Sequence, residues 1–284
     1  MLSTELESGI QGRAGYGLGA GTEVEPKTRA FYCETLRMLN ESGVEYLVGG
    51  AFALAPYTGI VRNTKDFDIF IRREDCARTL AYLAARGYLT EVTFPHWLAK
   101  AFCADGSGDF IDIIYGSGNG VAVVDDLWFE HANESEVLGC PAHLCPPEEM
   151  IWSKSFVQER ERFDGADIAH LLRASGDRLD WKRLLARFGR HWRVLLGHLV
   201  FYGFAYPGER DRVPAWVLEE LTARLLAETR EAVKDERVCR GTLVSREQYL
   251  IDLNTWGYAD ARLSEGHMSP EEVAHWTDAI GKIR

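Results

Sequence analysis

The order of apolar and polar positions divides the chain into a mixed first half and a helical second half. Short apolar runs bounded by glycines and polar clusters mark strands at Val44 to Val48, around Phe67 to Phe70, at Tyr88 to Phe94 and at Phe110 to Ile114. Between them apolar residues recur at helical spacing. Pro26 opens a helix to about Glu41, with Phe31, Thr35, Met38 and Leu39 near one face and Gly43 as its stop. Arg73 to Arg86 turns Cys76, Leu80, Leu83 and Ala84 inward and ends at Gly87. A short helix is expected at His96 to Ala104, a helical turn at Leu127 to His131 and an edge strand at Glu134 to Leu138. From Pro147 onward the spacing is helical, first through Met150, Ile151 and Lys154, then through Ile168, Leu171 and Leu172. Val194 to Tyr206 is strongly apolar but too short for a membrane span, which needs roughly 20 residues, so it predicts a buried helix and no membrane partner. Pro214 to Lys234 carries an inner stripe of Val217, Leu218, Leu221, Leu225 and Leu226, and Ser245 and Ser269 each begin a further helix.

The fold class that follows is α/β: a small mixed sheet with flanking helices, plus a helical C-terminal region. The glycine-dotted residues 1–25 read as a flexible arm, 26–145 as the core and 146–284 as the helical domain.

The chemistry concentrates in Gly49 to Phe70. A strand runs into two glycines, which let backbone approach a ligand closely, and Ala51 to Tyr57 starts a helix whose first N–H groups suit an anion. Arg62 adds a cation that forks onto phosphate oxygens. Asp66 and Asp68, two apart in an apolar run, project from one face of a strand. Like charges that close repel, and a divalent cation with hard oxygen ligands, magnesium above all, removes the conflict. A third carboxylate is expected from DFIDIIYG. Asp112, set among Phe110, Ile111, Ile113 and Ile114, is preferred to Asp109 at the strand's mouth, because a charge in an apolar run needs a partner. The simpler alternative for Asp112 is a salt bridge.

The ordered set of Gly49-Gly50, then Arg62, Thr64, Asp66 and Asp68, resembles the signature of the nucleotidyltransferase superfamily related to polymerase beta. It is nearest to the small bacterial members, antibiotic nucleotidyltransferases and abortive-infection type toxins. The resemblance covers roughly the first 175 residues. It implies a magnesium-dependent transfer of a nucleoside monophosphate from an NTP, ATP first among them, to an acceptor hydroxyl on a small molecule, a tRNA or a protein. Asp66, Asp68 and Asp112 would be the metal ligands and catalytic acids, with Gly49, Gly50, Arg62 and Thr64 at the triphosphate. It also matches Lys154 to a phosphate-contacting lysine, and Arg162, Asp164 and Asp167 to an R-x-D-x-x-D-like element. Asp164 reads equally as a partner of Lys154 or Arg162 and as a helix N-cap, and Asp167 as a residue on a solvated face. Where many members have Ser after the first Gly, this chain has Gly50. The alternative is a catalytically silent nucleotide- or partner-binding relative, such as a toxin–antitoxin component.

Composition adds little. The net charge of −11 argues against broad nucleic-acid binding and suits a cationic small substrate. Against that, Trp181 to Arg193 holds Lys182, Arg183, Arg187, Arg190 and Arg193 without an acid, interleaved with Trp181, Phe188 and Trp192. This suits RNA, although a charged solvent face with inward aromatics is the simpler reading. The six cysteines, with no leader ahead of them, read as reduced thiols of a cytoplasmic protein. Cys140, His143 and Cys145 lack the second ligand pair of a zinc site.

Overall fold

The structure, a computed structural model, describes residues 24–62, 64–232 and 236–280. The arm read at 1–25 therefore lies, through residue 23, outside the described residues, and Val24 already packs against the core. Seven strands form one mixed sheet: β1 (Leu47–Val48), β2 (Asp68–Phe70), β3 (Leu89–Phe94), β4 (Leu98–Phe102), β5 (Phe110–Ile114), β6 (Asn133–Val137) and β7 (Cys140–Leu144). Their spatial order is β3-β4-β5-β2-β1-β7-β6. The β2–β5 and β1–β7 pairs are parallel and the others antiparallel.

Alternation gives the central strands two unlike faces. Ile69, Ala99, Ala101, Ile111 and Ile113 are fully buried in the main core. Helix α1 (Pro26–Glu41) joins that core, Tyr32 stacking on Phe67 with ring centroids 4.7 Å apart. Helix α3 (Cys76–Ala84) adds the buried Leu83. The opposite face carries Asp68, Asp112 and Lys100. Helix α2 (Gly50–Thr58) follows β1 directly and packs on α6 (Gly165–Ser175) of the C-terminal region.

One predicted element is of the wrong type. The helix expected at His96 to Ala104 is strand β4, paired with β3 on one side and β5 on the other. Its pattern has period two: Ala99 and Ala101 enter the core, while Leu98, Lys100 and Phe102 share the other face. Alanine is a strong helix former, yet pairing on both sides outweighs that preference here. Strand β1 is shorter than Val44 to Val48, and β7 occupies the CPAHL stretch, for which no element is expected from the sequence.

The remaining helices are α4 (Asp126–Glu130), α5 (Pro147–Lys154), α7 (Trp181–Phe188), α8 (Trp192–Ala205), α9 (Ala215–Glu228), α10 (Leu250–Asn254), α11 (Ala261–Ser264) and α12 (Pro270–Asp278), with a small parallel pair β8 (Val238–Cys239) and β9 (Ala259–Asp260). Among the described residues no helix is long and apolar enough to cross a membrane. Helix α8 is buried on one side only, leaving Val200, Phe201 and Phe204 exposed. The last segment returns to the sheet. Trp276 of α12 packs with Phe94, Trp97, Leu98 and Ile114. The Gly116 to Gly120 loop is shaped for this return: Asn119 Nδ2 donates to the Leu243 carbonyl at 2.6 Å, and a Cβ on Gly120 would lie 1.5 Å from the Gly266 oxygen. These glycines admit the C-terminal segment and form no phosphate cradle.

The basic stretch from Trp181 is also accounted for by packing. Arg183 bonds both Glu149 oxygens at 2.5 Å and Glu148 at 2.7 Å, and Arg187 reaches Glu149 at 3.0 Å and Asp125 at 2.6 Å. Trp181, Phe188 and Trp192 are buried. The aromatics do point inward, but two of the basic residues follow them into ion pairs and are not on a solvent face.

Candidate active site

The end of β1 fixes the site. Gly49 donates its N–H to the Asp68 carbonyl at 2.9 Å, tying the glycine turn to β2. Gly50 begins α2 with φ +54°, a region that L side chains rarely adopt. A Cβ there would lie 1.9 Å from Asp68 Oδ2, and one on Gly49 would lie 2.2 Å from the Phe70 ring. Both positions are closed to a side chain, so the departure from Ser to Gly50 has a physical reason. The Asp68 carboxylate occupies the space that a side chain would need, at the first residue of α2.

Asp68 and Asp112 are direct register partners on the parallel strands β2 and β5, and Lys100 is the partner of Asp112 on β4. The three side chains therefore form a row across one face. Lys100 Nζ donates to Asp112 Oδ1 at 2.6 Å and sits 3.9 Å from the Phe110 ring centroid. Burial, then the Asp112 charge, pushes the Asp68 carboxyl up to about 7, with Asp66 adding to the shift and Lys154 and Arg162 opposing it. Burial also raises Asp112, against the pull of Lys100. Asp66 stands exposed in the turn before β2. The Thr64 hydroxyl shapes that turn, accepting from the Asp66 N–H at 3.1 Å and donating to the Asp66 carbonyl at 3.2 Å. Asp109, the other candidate acid, accepts from the Thr28 hydroxyl at 2.8 Å outside this row.

A cluster of cations lies alongside. Lys154, at the end of α5, is 2.8 Å from Asp164 Oδ2 and 2.9 Å from Asp167 Oδ2. Arg62 pairs with Asp167, and Arg162 Nε lies 3.4 Å from Asp164 Oδ1. Burial works against the Lys154 charge, but Asp164 and Asp167 raise its pKa overall. Three cations thus share two carboxylates, and two of them, Lys154 and Arg162, also act on Asp68 through space. Asp164 stands at the N-cap position of α6, yet its side chain caps no backbone group and serves Lys154 and Arg162 instead. Asp167 is buried in the first turn of α6, not on a solvated face.

Lys100 escapes the sequence reading because its segment reads as helix. The alternation of Leu98, Lys100 and Phe102 against two alanines was the signal that would have found it.

Among the described residues no three His, Cys, Asp or Glu side chains form a ready ligand group, although Asp66 acts through space on both Asp68 and Asp112. The donors nevertheless fit a hard divalent cation. Asp68 has no ion-pair partner among the described residues, and burial beside a second carboxylate pushes its carboxyl up to about 7, a conflict that such a cation relieves. Cys140 and Cys145 are buried and His143 is exposed, which does not make a soft-metal site.

No family model matches the chain, and no curated protein matches it. Solved structures similar to it include the following three. The antibiotic-resistance factor ANT(2'')-Ia is 16% identical with a TM-score of 0.44, covering 62% of this chain and 98% of that one. The lincosamide antibiotic adenylyltransferase LnuA, lincomycin-bound, is 18% identical with a TM-score of 0.37, covering 52% and 96%. An antigenic nucleotidyltransferase-like protein from Paracoccidioides brasiliensis is 14% identical with a TM-score of 0.36, covering 61% and 92%. These are likenesses of fold, to antibiotic nucleotidyltransferases and a nucleotidyltransferase-like protein.

Proposed function

We propose that this chain is a magnesium-dependent nucleotidyltransferase that moves a nucleoside monophosphate from an NTP, ATP in the first instance, to an acceptor hydroxyl. The observation that carries the reading is the Asp68–Asp112 register pair, set against the first residue of α2 and within the field of Lys154 and Arg162. Asp66, Asp68 and Asp112 would hold the metal. Gly49, Gly50, Arg62, Thr64 and Lys154 line the triphosphate. Bound there, magnesium would supply charge neutralisation for the transfer. Asp112 accepts the acceptor's hydroxyl proton. The oxygen then bonds to the α-phosphorus as the bond to pyrophosphate breaks. Arg62 and Lys154, now paired with Asp167 and Asp164, turn to the phosphate oxygens and stabilise the charge that develops on pyrophosphate.

The acceptor we assign is a small cationic molecule. The net charge of −11 suits it, and the arginines that favoured a tRNA end, Arg183 and Arg187, are committed to buried acids. A protein hydroxyl is the remaining outcome of an acceptor screen. A second reading, a silent nucleotide- or partner-binding protein of a toxin–antitoxin kind, is favoured by one observation: Asp112 already has a cation, Lys100.

Calorimetric titration of each NTP with and without magnesium, for wild type and the Asp66→Asn/Asp68→Asn variant, tests the reading. Binding that needs both magnesium and the aspartates, followed by release of pyrophosphate with an acceptor, is expected. Binding without turnover for any acceptor would favour the silent reading, and no binding of any NTP would end both.

A further inference from the structure

Lys100, Asp112 and Asp68 are consecutive register partners across β4, β5 and β2, so ammonium and carboxylates lie in one row. Among the described residues Lys100 is the one cation in ion-pair contact with Asp112, and it reaches only Oδ1, at 2.6 Å. Its ammonium lies over the Phe110 ring, with Nζ 3.9 Å from the centroid, which holds it beside the carboxylate from one side. Asp68, one strand further on, has no such partner among the described residues. A divalent ion bound between the two acids would therefore lie within a few ångströms of a fixed positive charge, and like charges at that range repel strongly in a half-buried site. A lysine ammonium sits on a rotatable four-carbon stem and can leave without disturbing the strand.

We propose that Lys100 is a resident counter-cation that a divalent metal must displace from Asp112, so that the acids take metal weakly alone and well only together with the triphosphate. This rests on the nucleotidyltransferase reading and adds a residue to it that sets when the site loads. Lys100 is a positioning residue here: it holds Asp112 before loading and withdraws on loading. A triphosphate brings negative charge of its own, which offsets the repulsion and draws the freed ammonium outward.

The test is binding of Mn2+ alone, without nucleotide, followed by electron paramagnetic resonance of the free ion. Wild type is compared with Lys100→Met, which keeps the stem and removes the charge, and with Lys100→Arg, which keeps the charge. Lys100→Met is expected to bind Mn2+ at least about tenfold more tightly than wild type. Lys100→Arg should stay weak, and Lys100→Met/Asp112→Asn should lose the gain. Equal or weaker Mn2+ binding by Lys100→Met, with circular dichroism confirming its fold, overturns the proposal. Lys100→Gln replaces it if the methionine variant does not fold. Magnesium–NTP binding by wild type separates the two levels. If it is present while the lysine variants leave Mn2+ affinity unchanged, the gate fails and the enzyme reading stands. If no variant binds Mn2+ or NTP, both fail.

Discussion

Asp68 and Asp112 face each other across adjacent parallel strands, and among the described residues only Asp112 of the two has a cation in ion-pair contact. That asymmetry governs both carboxyl groups. Asp68 carries the cost of burial next to a charged neighbour, its carboxylate close against the Cα of Gly50. Asp68→Asn removes the charge while keeping the shape. The variant is expected to lose magnesium-dependent NTP binding by at least about a hundredfold, because one of the acids that oppose the metal's charge is gone. Without metal at neutral pH it should be as stable as wild type or more so. Calorimetry and thermal melting of the same preparation check both halves, and NTP binding that survives the substitution would remove Asp68 from the site.

The same carboxyl sets a pH dependence. Its folded pKa, about 7, lies above the ordinary carboxylate value of 3.8, so between these values the folded state holds a proton that the unfolded state has released. The contribution of Asp68 to stability is thus fully present below about pH 4 and is lost as pH rises toward 7 and beyond. Melting temperature measured without divalent ions should fall across this window relative to Asp68→Asn. With saturating magnesium the trend reverses, since binding the ion releases the proton and is favoured at higher pH. Identical pH profiles for wild type and Asp68→Asn would show that Asp68 is not perturbed.

Gly50 is expected to be intolerant of any side chain. Its φ of +54° disfavours an L residue by about 1–2 kcal/mol, and a new Cβ would meet Asp68 Oδ2. Gly50→Ala should lower stability by more than the backbone term alone. Combining it with Asp68→Ala should recover the difference, because the clash then has no second atom. Urea unfolding of the four proteins in the cycle measures the coupling, and simple additivity would show that the two residues do not touch.

The parts of this site that were legible in sequence share one property: they are local. The strand–Gly-Gly–helix turn, Asp66 and Asp68 two residues apart, and the apolar setting of Asp112 can each be read within a few positions. Which residues partner them cannot. The alternation around Lys100 marks a strand, against its helix-favouring alanines, but its pairing with Asp112 follows only from β4 lying beside β5. Asp164 looked equally like a cap or an ion-pair partner until Lys154 and Arg162 were placed around it. Arg183 and Arg187 read as solvent-facing charges, with RNA contact as the alternative, because their acids, Glu148, Glu149 and Asp125, lie far back in the chain. Long-range charge pairing leaves no periodic trace, and such pairs account for most of what the sequence withheld.

The Glu149 network gives the sharpest test of that last correction. Glu149 is fully buried and accepts from Arg183 at 2.5 Å and Arg187 at 3.0 Å, joining α5, which carries Lys154, to α7. Removing one partner of a buried pair leaves an uncompensated charge, at a cost of about 3–5 kcal/mol. Glu149→Ala should therefore shift the urea midpoint strongly, because Arg183 keeps only Glu148 and Arg187 only Asp125 once the acid they share is gone. Arg183→Met in the same chain should restore part of the loss, since the pair is then replaced by apolar volume. If Arg183 and Arg187 served RNA instead, Arg183→Met alone would weaken binding of a labelled tRNA and leave folding untouched. The expected outcome is the opposite, a destabilised fold with no change in whatever weak tRNA binding the wild-type protein has, because a side chain enclosed by Glu148 and Glu149 has no face left for a phosphate.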